Sequence, residues 1–275
     1  MQRGSEMDFD VDDLLVIARH AGKAILDIYE TFVHEKSDGI PRAMLGLKSD
    51  NSPLSIADLK AHEIISAGLH ALSPHLQVVS EEDESSHLIR SGSASYWLID
   101  PLDGTKEFLG KNGDFTVNIA LISGNQPIFG LVFAPAVGEM YWGGRSFGAY
   151  CQRNEAELTR INVSSYVPFP GELRVLASKS HMNAETSAYV SGLGPTTLVQ
   201  AGSSLKFCRL AEGQADIYPR LGPTCEWDTA AGQAVLEGAG GHVLNLEGQS
   251  LVYGKSEILN PSFVAVSNLM NLQRS

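Results

Sequence analysis

The sequence predicts a mixed α and β protein, an α+β or α/β fold in which two sheets are covered by helices. In the first half, apolar runs separated by short turn signals predict a meander of antiparallel strands. In the second half, strand-like and helix-like segments alternate, which is typical of a sheet with helices on its faces. A length of 275 residues allows one large core or two modest ones.

Two amphipathic helices and a short strand are predicted at the start of the chain. Residues 10–32 carry apolar side chains at helical spacing, and so do residues from about 55 to 72. Between these helices, residues 34–55 are polar and rich in Gly, Pro, Ser and Asp, which predicts a loop or flap. A strand is predicted at 76–80. Residues 1–6 lack an apolar pattern, and we expect a frayed extension or a cloning remnant there.

The remaining elements are predicted from the same patterns. The strands of the meander are 96–99, 115–122, 127–134, 140–143 and 148–152. The strands of the second half are 174–177, 197–200, 215–219, 242–246 and 263–267, and its helices are 184–193, 203–212 and 228–238. Because the stretch from 153 to 170 is polar and ends in Pro-Phe-Pro-Gly, we expect a boundary between an N-terminal domain, 1–155, and a C-terminal domain, 156–275.

Composition limits the classes of partner. A formal net charge of −12 argues against a nucleic acid or an anionic membrane as the main partner. The cysteines, Cys151, Cys208 and Cys225, are odd in number and include no Cys-x-x-Cys pair, which fits a reducing cytoplasm. No N-terminal signal pattern is present. The longest uncharged stretch, 115–138, is interrupted by a hairpin signal at 124–127, so it predicts two strands rather than a membrane span.

The segment 97–108 is the stretch around which we expect the functional site to form. Its apolar run ends at Asp100, Pro101 cannot donate to a sheet ladder, and Asp103 lies across a tight turn from Asp100. Two carboxylates at such a turn suit divalent cations. The same residue types are also common in turns, and such a turn could simply join a strand to a helix.

Backbone amides should face the same corner. Gly104 and Thr105 open a predicted helix, so their N–H groups should be available to an anion. An acidic pair beside an anion cradle is what a phosphate ester held with Mg²⁺ would need.

Three more carboxylates could join this pair. Glu81 ends the strand 76–80 as Asp100 ends the next, so the two side chains share an edge if the strands are neighbours; the acidic run 81–84 would otherwise be a solvated loop. Asp58 lies in the first turn of the second helix, where compensation of the helix dipole is the simpler explanation. Asp228 lies at a predicted helix start, where an aspartate is common as an N-cap and implies no further function.

Two loops of the second half are candidates for anion binding. Residues 178–181 and 202–206 each follow a strand and precede a helix. Judged alone, Lys206 is a surface charge, and Arg220 is a further candidate. No P-loop, nucleophile elbow or His-x-x-x-His pair is present, and oxygen-only ligands favour Mg²⁺ over Zn²⁺.

Two motifs, 100–108 preceded by Glu81-Glu82-Asp83, and 227–232, resemble those of the inositol monophosphatase family of Mg²⁺-dependent, lithium-sensitive phosphatases. The resemblance covers nearly the whole chain from about residue 8. The segments that look like its 3′(2′),5′-bisphosphate nucleotidase branch are 48–53, 113–120, 202–208 and 218–224. The resemblance implies a layered αβαβα sandwich of the sugar phosphatase type. It also implies removal of the 3′-phosphate of adenosine 3′,5′-bisphosphate, a step of sulfur metabolism, to give AMP and phosphate.

The resemblance implies two to three Mg²⁺ ions and their ligands. Glu81, Asp100 and the carbonyl of Leu102 would hold one ion, and Asp100, Asp103 and Asp228 a second. A third, looser ion would rest on Glu81 and waters.

The resemblance also implies which residues act on water and substrate. Thr105, hydrogen-bonded to Asp58, would orient and help to deprotonate the attacking water. The residues implied to contact the substrate are Glu81, Leu102, Asp103, Gly104, Thr105, Ser178, His181, Gly202, Lys206 and Asp228.

Alternatives remain open at this point. A haloacid-dehalogenase-type phosphatase would form an aspartyl phosphate, but its two aspartates are separated by one residue and these by two. An inositol monophosphatase or other sugar-phosphate phosphatase could use the same metal site, and a non-catalytic Mg²⁺ or phosphonucleotide sensor is the remaining class. The sequence also leaves open a monomer or a homodimer, and a peripheral association with the inner face of the cell membrane.

Overall fold

The computed structural model describes residues 9–34, 45–47, 53–154, 156–165, 171–177 and 182–274. The expectations for residues 1–6, for 48–52 and for Ser178 and His181 lie outside the described residues.

The helices agree closely with those predicted. The α-helices are α1 Val11–His34, α2 Ile56–Leu72, α3 Thr105–Leu109, α4 Ala184–Gly192, α5 Leu205–Ala211 and α6 Glu226–Gly238. Short 3₁₀ helices cover Glu84–Ser91, Pro135–Val137 and Leu269–Arg274.

The strands of the described residues form three sheets. The strands are β1 Leu45–Leu47, β2 Pro53–Ser55, β3 Gln77–Ser80, β4 Ser95–Asp103, β5 Thr116–Ser123, β6 Gln126–Ala134, β7 Glu139–Gly144, β8 Gly148–Arg153, β9 Thr159–Ile161, β10 Leu173–Ala177, β11 Thr196–Gln200, β12 Ile217–Arg220, β13 His242–Asn245 and β14 Phe263–Val266. A seven-stranded sheet has the order β3-β4-β5-β6-β7-β8-β9 and is antiparallel except between β3 and β4. A five-stranded sheet has the order β11-β10-β12-β14-β13, in which β10 runs parallel to β11 and β12. The predicted meander is therefore confirmed.

Helices and sheets stack in alternating layers. Alternate residues of β4 face different layers: Trp97 and Ile99 pack with α1 and α2, while Tyr96 and Leu98 belong to the core that contains α5 and α6. The same middle core includes Phe263 of the second sheet. A third cluster joins the far face of that sheet to α4. This order of layers, αβαβα, is the predicted architecture.

The predicted end of one strand and one predicted loop are wrong. Strand β4 was expected to end at Asp100, yet it continues through Pro101 to Asp103. The register between β4 and β5 shifts between Asp100 and Asp103, so an irregularity takes Pro101 where no ladder donor is needed. The stretch 34–55 was expected to be a loop, but its described parts, β1 and β2, pair as an antiparallel ribbon.

The predicted domain division stays a prediction. Strand β9 lies beyond residue 155, yet it pairs with β8 and completes the first sheet. The middle core draws on both halves of the chain, for example Val132 and Leu236. In the part of the chain that the structure describes, no helix is both long and apolar enough to cross a bilayer.

Candidate active site

Parallel pairing of β3 and β4 brings Glu81 beside Asp100. Ser80 is the partner of Ile99 in the ladder, and the backbone N–H of Glu81 donates to the carbonyl of Ile99 at 3.2 Å. The two strands are thus neighbours, as the shared edge required. Because side chains alternate along each strand, Glu81 and Asp100 follow Val79 and Leu98 on the face of the middle core.

Asp100 is a buried carboxylate with other acidic side chains around it. It is 1% exposed, and its Oδ1 accepts the N–H of Leu102 at 3.1 Å. Burial raises the pKa of Asp100 well above its usual value, and neighbouring carboxylates raise it further. Those neighbours, in order of effect, are Glu81, Asp103, Asp228 and Asp58. We call Asp100 and these four neighbours the acidic margin.

Asp103 is held by the loop that precedes α5. Its Oδ2 accepts hydrogen bonds from the Ser203 hydroxyl, from the Ser204 backbone N–H at 2.8 Å and from the Ser204 hydroxyl at 3.0 Å. Among the described residues no hydrogen bond reaches its Oδ1. One oxygen is therefore fixed by protein donors, and the other is left for a ligand.

Asp228 was expected at the start of α6 as its N-cap, but it is the third residue of that helix. Cys225 is the N-cap, and its backbone N–H donates to Asp228 Oδ2 at 2.8 Å in a capping box. The helix begins earlier than predicted because Glu226 enters it fully buried, with Arg90 as an ion-pair partner. Burial and the charge of Asp103 raise the pKa of Asp228 to about 8.

Two residues with predicted catalytic roles are Asp58, which belongs to the acidic margin, and Thr105. Asp58 is 1% exposed, so it is no simple surface charge at the start of α2, and its charge contributes to the raised pKa of Asp100. Thr105 is the first residue of α3, after Gly104, which caps the helix with a φ of +91° that glycine tolerates. The hydrogen bond between Thr105 and Asp58 stays a prediction.

The donor chemistry of the acidic margin suits a hard divalent cation. Among the described residues, no lysine or arginine forms an ion pair with Asp100, Asp103 or Asp228. Clustered carboxylates without a cation repel one another, and bound Mg²⁺ would remove that cost. As placed, no three acidic, histidine or cysteine side chains in the described ranges form a ready group for a metal. The carboxylates are close enough to interact, but they do not form a closed coordination shell.

A cavity of about 210 Å³ is lined by residues of the second half of the chain. Its lining includes Lys206, Tyr218 and Arg220, so we call it the basic cavity. Lys206 is buried, which contradicts the reading as a surface charge: its Nζ donates to the Ser203 carbonyl at 2.9 Å and lies 5.4 Å from the centre of the Tyr218 ring. Burial lowers the pKa of Lys206, while the charge of Asp103 raises it. The cavity and the acidic margin are therefore electrostatic neighbours.

Arg220 is absent from the predicted substrate contacts, although the sequence offered it as a further candidate. Its Nε is buried and has no hydrogen-bond partner in the described part of the chain, and its Nη2 donates to the Pro223 carbonyl at 3.2 Å. Its charge lowers the pKa of Asp228. The sequence feature that could have identified Arg220 as a site residue is its position at the end of a predicted strand, which Asp100 shares.

Gly202 lies where the loop passes closest to the first half. A side chain there would meet the Asp114 Cβ at 2.6 Å and the Glu107 Cγ at 2.9 Å. Its N–H donates to Asp114 Oδ2 at 2.8 Å, so this amide is already used by the protein. Of the other predicted nucleotide contacts, Ser178 and His181 lie outside the described residues.

The architecture and this arrangement agree with the comparison to known sequences. The sequence profile of the inositol monophosphatase family matches residues 11–273. This chain belongs to that family. The family predicted from the two motifs is thus confirmed.

Family members with known names are similar over almost the full chain. The 3′(2′),5′-bisphosphate nucleotidase CysQ of Escherichia coli strain K12 is 44% identical over 256 residues, which are 92% of this chain and 98% of the relative. The protein of the same name from Buchnera aphidicola is 38% identical, over 93% of this chain and 92% of the relative. The crystal structure of CysQ from Bacteroides thetaiotaomicron, a bacterial member of the inositol monophosphatase family, has a TM-score of 0.77 at 38% identity and covers 92% of this chain and 95% of that one. The suhB protein from Bartonella henselae, at 23% identity and a TM-score of 0.75, shares the fold.

Proposed function

We propose that this chain is a Mg²⁺-dependent 3′(2′),5′-bisphosphate nucleotidase that removes the 3′-phosphate of adenosine 3′,5′-bisphosphate, giving AMP and phosphate. The observation that carries the proposal is the junction of the acidic margin with the basic cavity. The first suits the phosphate that is hydrolysed, and the second suits the phosphate that remains. The names of the relatives that are 44% identical over 98% of their length support the same activity.

The proposed cofactor is Mg²⁺, with two to three ions. The residues that would hold it are Glu81, Asp100, the carbonyl of Leu102, Asp103 and Asp228. When bound, the ions would supply hydroxide near neutral pH and stabilise the leaving oxygen. The β3–β4 pairing, the serines on Asp103 and the capping box of α6 support this assignment, because they hold the carboxylates in place.

Asp58 of the acidic margin and the start of α3, Gly104 and Thr105, would act on water and on the phosphate. The buried carboxylate of Asp58 would accept a hydrogen bond from Thr105 and so fix the hydroxyl that orients the attacking water. The backbone N–H groups of Gly104 and Thr105 would donate to the phosphate oxygens. Held in this way, water and phosphorus need little further reorganisation, which lowers the barrier.

Selectivity for a bisphosphate would come from the basic cavity. Lys206 and Arg220 would pair with the second phosphate, and the unpartnered Nε of Arg220 gives that phosphate a buried donor. Two cations here also answer the charge problem, because the chain as a whole carries −12 and would otherwise repel the substrate. An inositol monophosphate, with one phosphate, would leave these cations uncompensated.

The decisive assay measures phosphate release from adenosine 3′,5′-bisphosphate with Mg²⁺, with and without Li⁺, beside inositol 1-phosphate. We expect the nucleotide to have a kcat/KM at least about tenfold higher, which corresponds to one charge-assisted contact, and Li⁺ to inhibit. Preference for inositol phosphate would instead establish the sugar-phosphate alternative. A trapped phospho-enzyme would replace direct attack by water with an aspartyl-phosphate mechanism.

A matched pair of lysine variants tests the role of the basic cavity. Lys206→Met should raise KM for the bisphosphate by at least about tenfold through loss of an ionic contact. Lys23→Met changes an exposed lysine on α1, in an ion pair with Asp27, and should leave KM as it is. Equal KM values for the two variants would contradict the assignment.

The setting of the enzyme is part of the proposal. The thiols of Cys151, Cys208 and Cys225 form no disulfide, which supports a cytoplasmic location. We propose a monomer or a homodimer, with any association at the inner face of the cell membrane being peripheral. Gel filtration and sedimentation with anionic vesicles test these two points.

A further inference from the structure

We propose that Ser204 is a positioning residue which links the basic cavity to Asp103, so that the phosphate that stays on the substrate accelerates removal of the other one. This inference rests on the proposed function and deepens it. It concerns kcat, whereas the cavity contacts described above concern binding.

Ser204 is the residue through which the second half holds the acidic margin. It is 2% exposed, and both its backbone N–H and its hydroxyl donate to Asp103 Oδ2, at 2.8 and 3.0 Å. The same hydroxyl oxygen lies 3.0 Å from the backbone carbonyl of Asp228. Ser204 therefore touches two acidic residues that come from different halves of the chain.

The neighbours of the Ser204 hydroxyl restrict where its proton can point. Asn118, fully buried on β5, donates from Nδ2 to Ser204 Oγ at 2.9 Å, and its Oδ1 accepts from Thr116 Oγ1 at 3.1 Å. Since a hydroxyl has a single proton and Asn118 occupies an acceptor position, that proton is left for Asp103 or for the Asp228 carbonyl. Buried networks of this kind orient groups rigidly when every member is satisfied.

The connection to the basic cavity runs through one peptide group. Lys206 Nζ donates to the carbonyl of Ser203, whose peptide bond leads into the Ser204 N–H that binds Asp103. Ser203 has a φ of +48°, unusual for a residue with a side chain, so this conformation persists only while such contacts hold it. On the other side, Asp114 holds the N–H of Gly202.

An anion in the basic cavity would strengthen this arrangement. An ammonium group has three donors, so Lys206 can bind a phosphate while still donating to Ser203. Ordering Lys206 then orders the Ser203–Ser204 peptide, and with it the orientation of Asp103. Binding energy from the non-reacting phosphate would thereby be used in the transition state, and would appear in kcat as well as in KM.

The kinetic test compares two substrates in three proteins. Adenosine 3′,5′-bisphosphate and adenosine 3′-monophosphate carry the same reacting group and differ in the second phosphate. In the unchanged chain we expect kcat to be about tenfold higher with the second phosphate, and Ser204→Ala to remove most of that ratio. Ser191→Ala, a change at an exposed serine on α4, is the matched control and should keep the ratio. Equal loss of kcat on both substrates in Ser204→Ala would overturn the inference, since a merely structural residue would act in that way.

A second measurement does not depend on turnover. Mg²⁺ binding is measured by calorimetry with and without AMP, which carries only the phosphate that stays. We expect AMP to tighten Mg²⁺ binding about fivefold in the unchanged chain and hardly at all in Ser204→Ala, because linkage between two sites is reciprocal. The same tightening in both proteins would overturn the inference. If the unchanged chain fails to hydrolyse the bisphosphate, the proposed function fails, and this measurement still decides whether Ser204 couples the two sites.

Discussion

At the scale of single residues, burial changes ionisation in opposite directions on the two sides of the site. It raises the pKa of the acids Asp100 and Asp228 and lowers that of the base Lys206. Each shift disfavours the charged form, so each side is incomplete without an opposite charge. A cation for the acids and an anion for the base are what a metal-dependent phosphatase brings together.

Asp103→Asn should abolish turnover while the fold persists. The substitution keeps the size of the side chain and removes the charge needed at the metal, so we expect kcat to fall by at least about a hundredfold. The variant should melt no lower than the unchanged chain without Mg²⁺, because one source of repulsion at Asp100 is gone. Asp13→Asn, in the first turn of α1, is the control. Undiminished phosphate release by Asp103→Asn would contradict the assigned role.

The thiols should differ in reactivity. Burial raises the pKa of Cys151 to about 11 and that of Cys208 well above its usual value, while Cys225 is only partly buried. At pH 8 we expect iodoacetamide to label Cys225 first, Cys151 about a hundredfold more slowly than in the unfolded chain because its thiolate fraction is lower, and Cys208 also slowly. Mass spectrometry of timed samples measures this. Rapid labelling of Cys208 in the folded protein would show that the interior opens easily.

At the scale of elements, α6 is the helix that brings an acid of the second half to the first sheet. Its N-terminus is anchored by Glu226, which is fully buried and pairs with Arg90 at 3.0 Å and Lys255 at 2.6 Å. Arg90 belongs to the 3₁₀ helix Glu84–Ser91, which follows Glu81. One buried carboxylate thus ties the segment of Glu81 to the helix of Asp228.

Glu226→Ala should therefore destabilise the protein strongly. Removing one partner leaves the buried Arg90 without compensation, which costs about 3–5 kcal/mol in the free energy of unfolding. Glu226→Gln, which keeps hydrogen-bonding capacity, should cost less. Urea unfolding of both variants measures the difference, with Asp27→Ala, from the exposed pair on α1, expected within about 0.5 kcal/mol of the unchanged chain. A loss at Glu226 as small as that at Asp27 would show that the buried pair is not an anchor.

At the scale of the whole molecule, the acidic margin links stability to pH and to Mg²⁺. The pKa of Asp100 and of Asp228 is raised in the folded state, the latter to about 8. The folded state therefore binds more protons than the unfolded state between about pH 4, the ordinary carboxylate range, and about pH 8. Over this interval the metal-free protein loses stability as pH rises.

Saturating Mg²⁺ should raise Tm more at pH 8 than at pH 6. At pH 8 the carboxylates are ionised and repel, so a cation relieves more, whereas at pH 6 it must first displace protons. Thermal melts at both pH values, with and without Mg²⁺, give the two increments. An equal or larger increment at pH 6 would contradict this account, and Asp228→Asn should reduce the difference.

Most helices and strands could be predicted from the sequence because the patterns that specify them are local. The 3.6-residue period of α1 and α2, and the apolar runs separated by turn signals in β5 to β8, predicted these elements nearly to the residue. Predictions failed where a neighbouring segment decides the outcome. Strand β4 passes through Pro101 because β5 shifts its register there, and α6 starts early because Glu226 finds a buried partner.

By itself the sequence determined the family, the order of the elements and the acids of the margin. Short motifs and periodic patterns are local, so they can be recognised without knowing which distant residues are in contact. Only the tertiary structure decided that Lys206 is buried, that Arg220 lines the same cavity and that two serines hold Asp103 across a separation of about 100 residues. The physical reason is that burial and charge pairing depend on which distant segments pack together, and packing is a property of the folded chain.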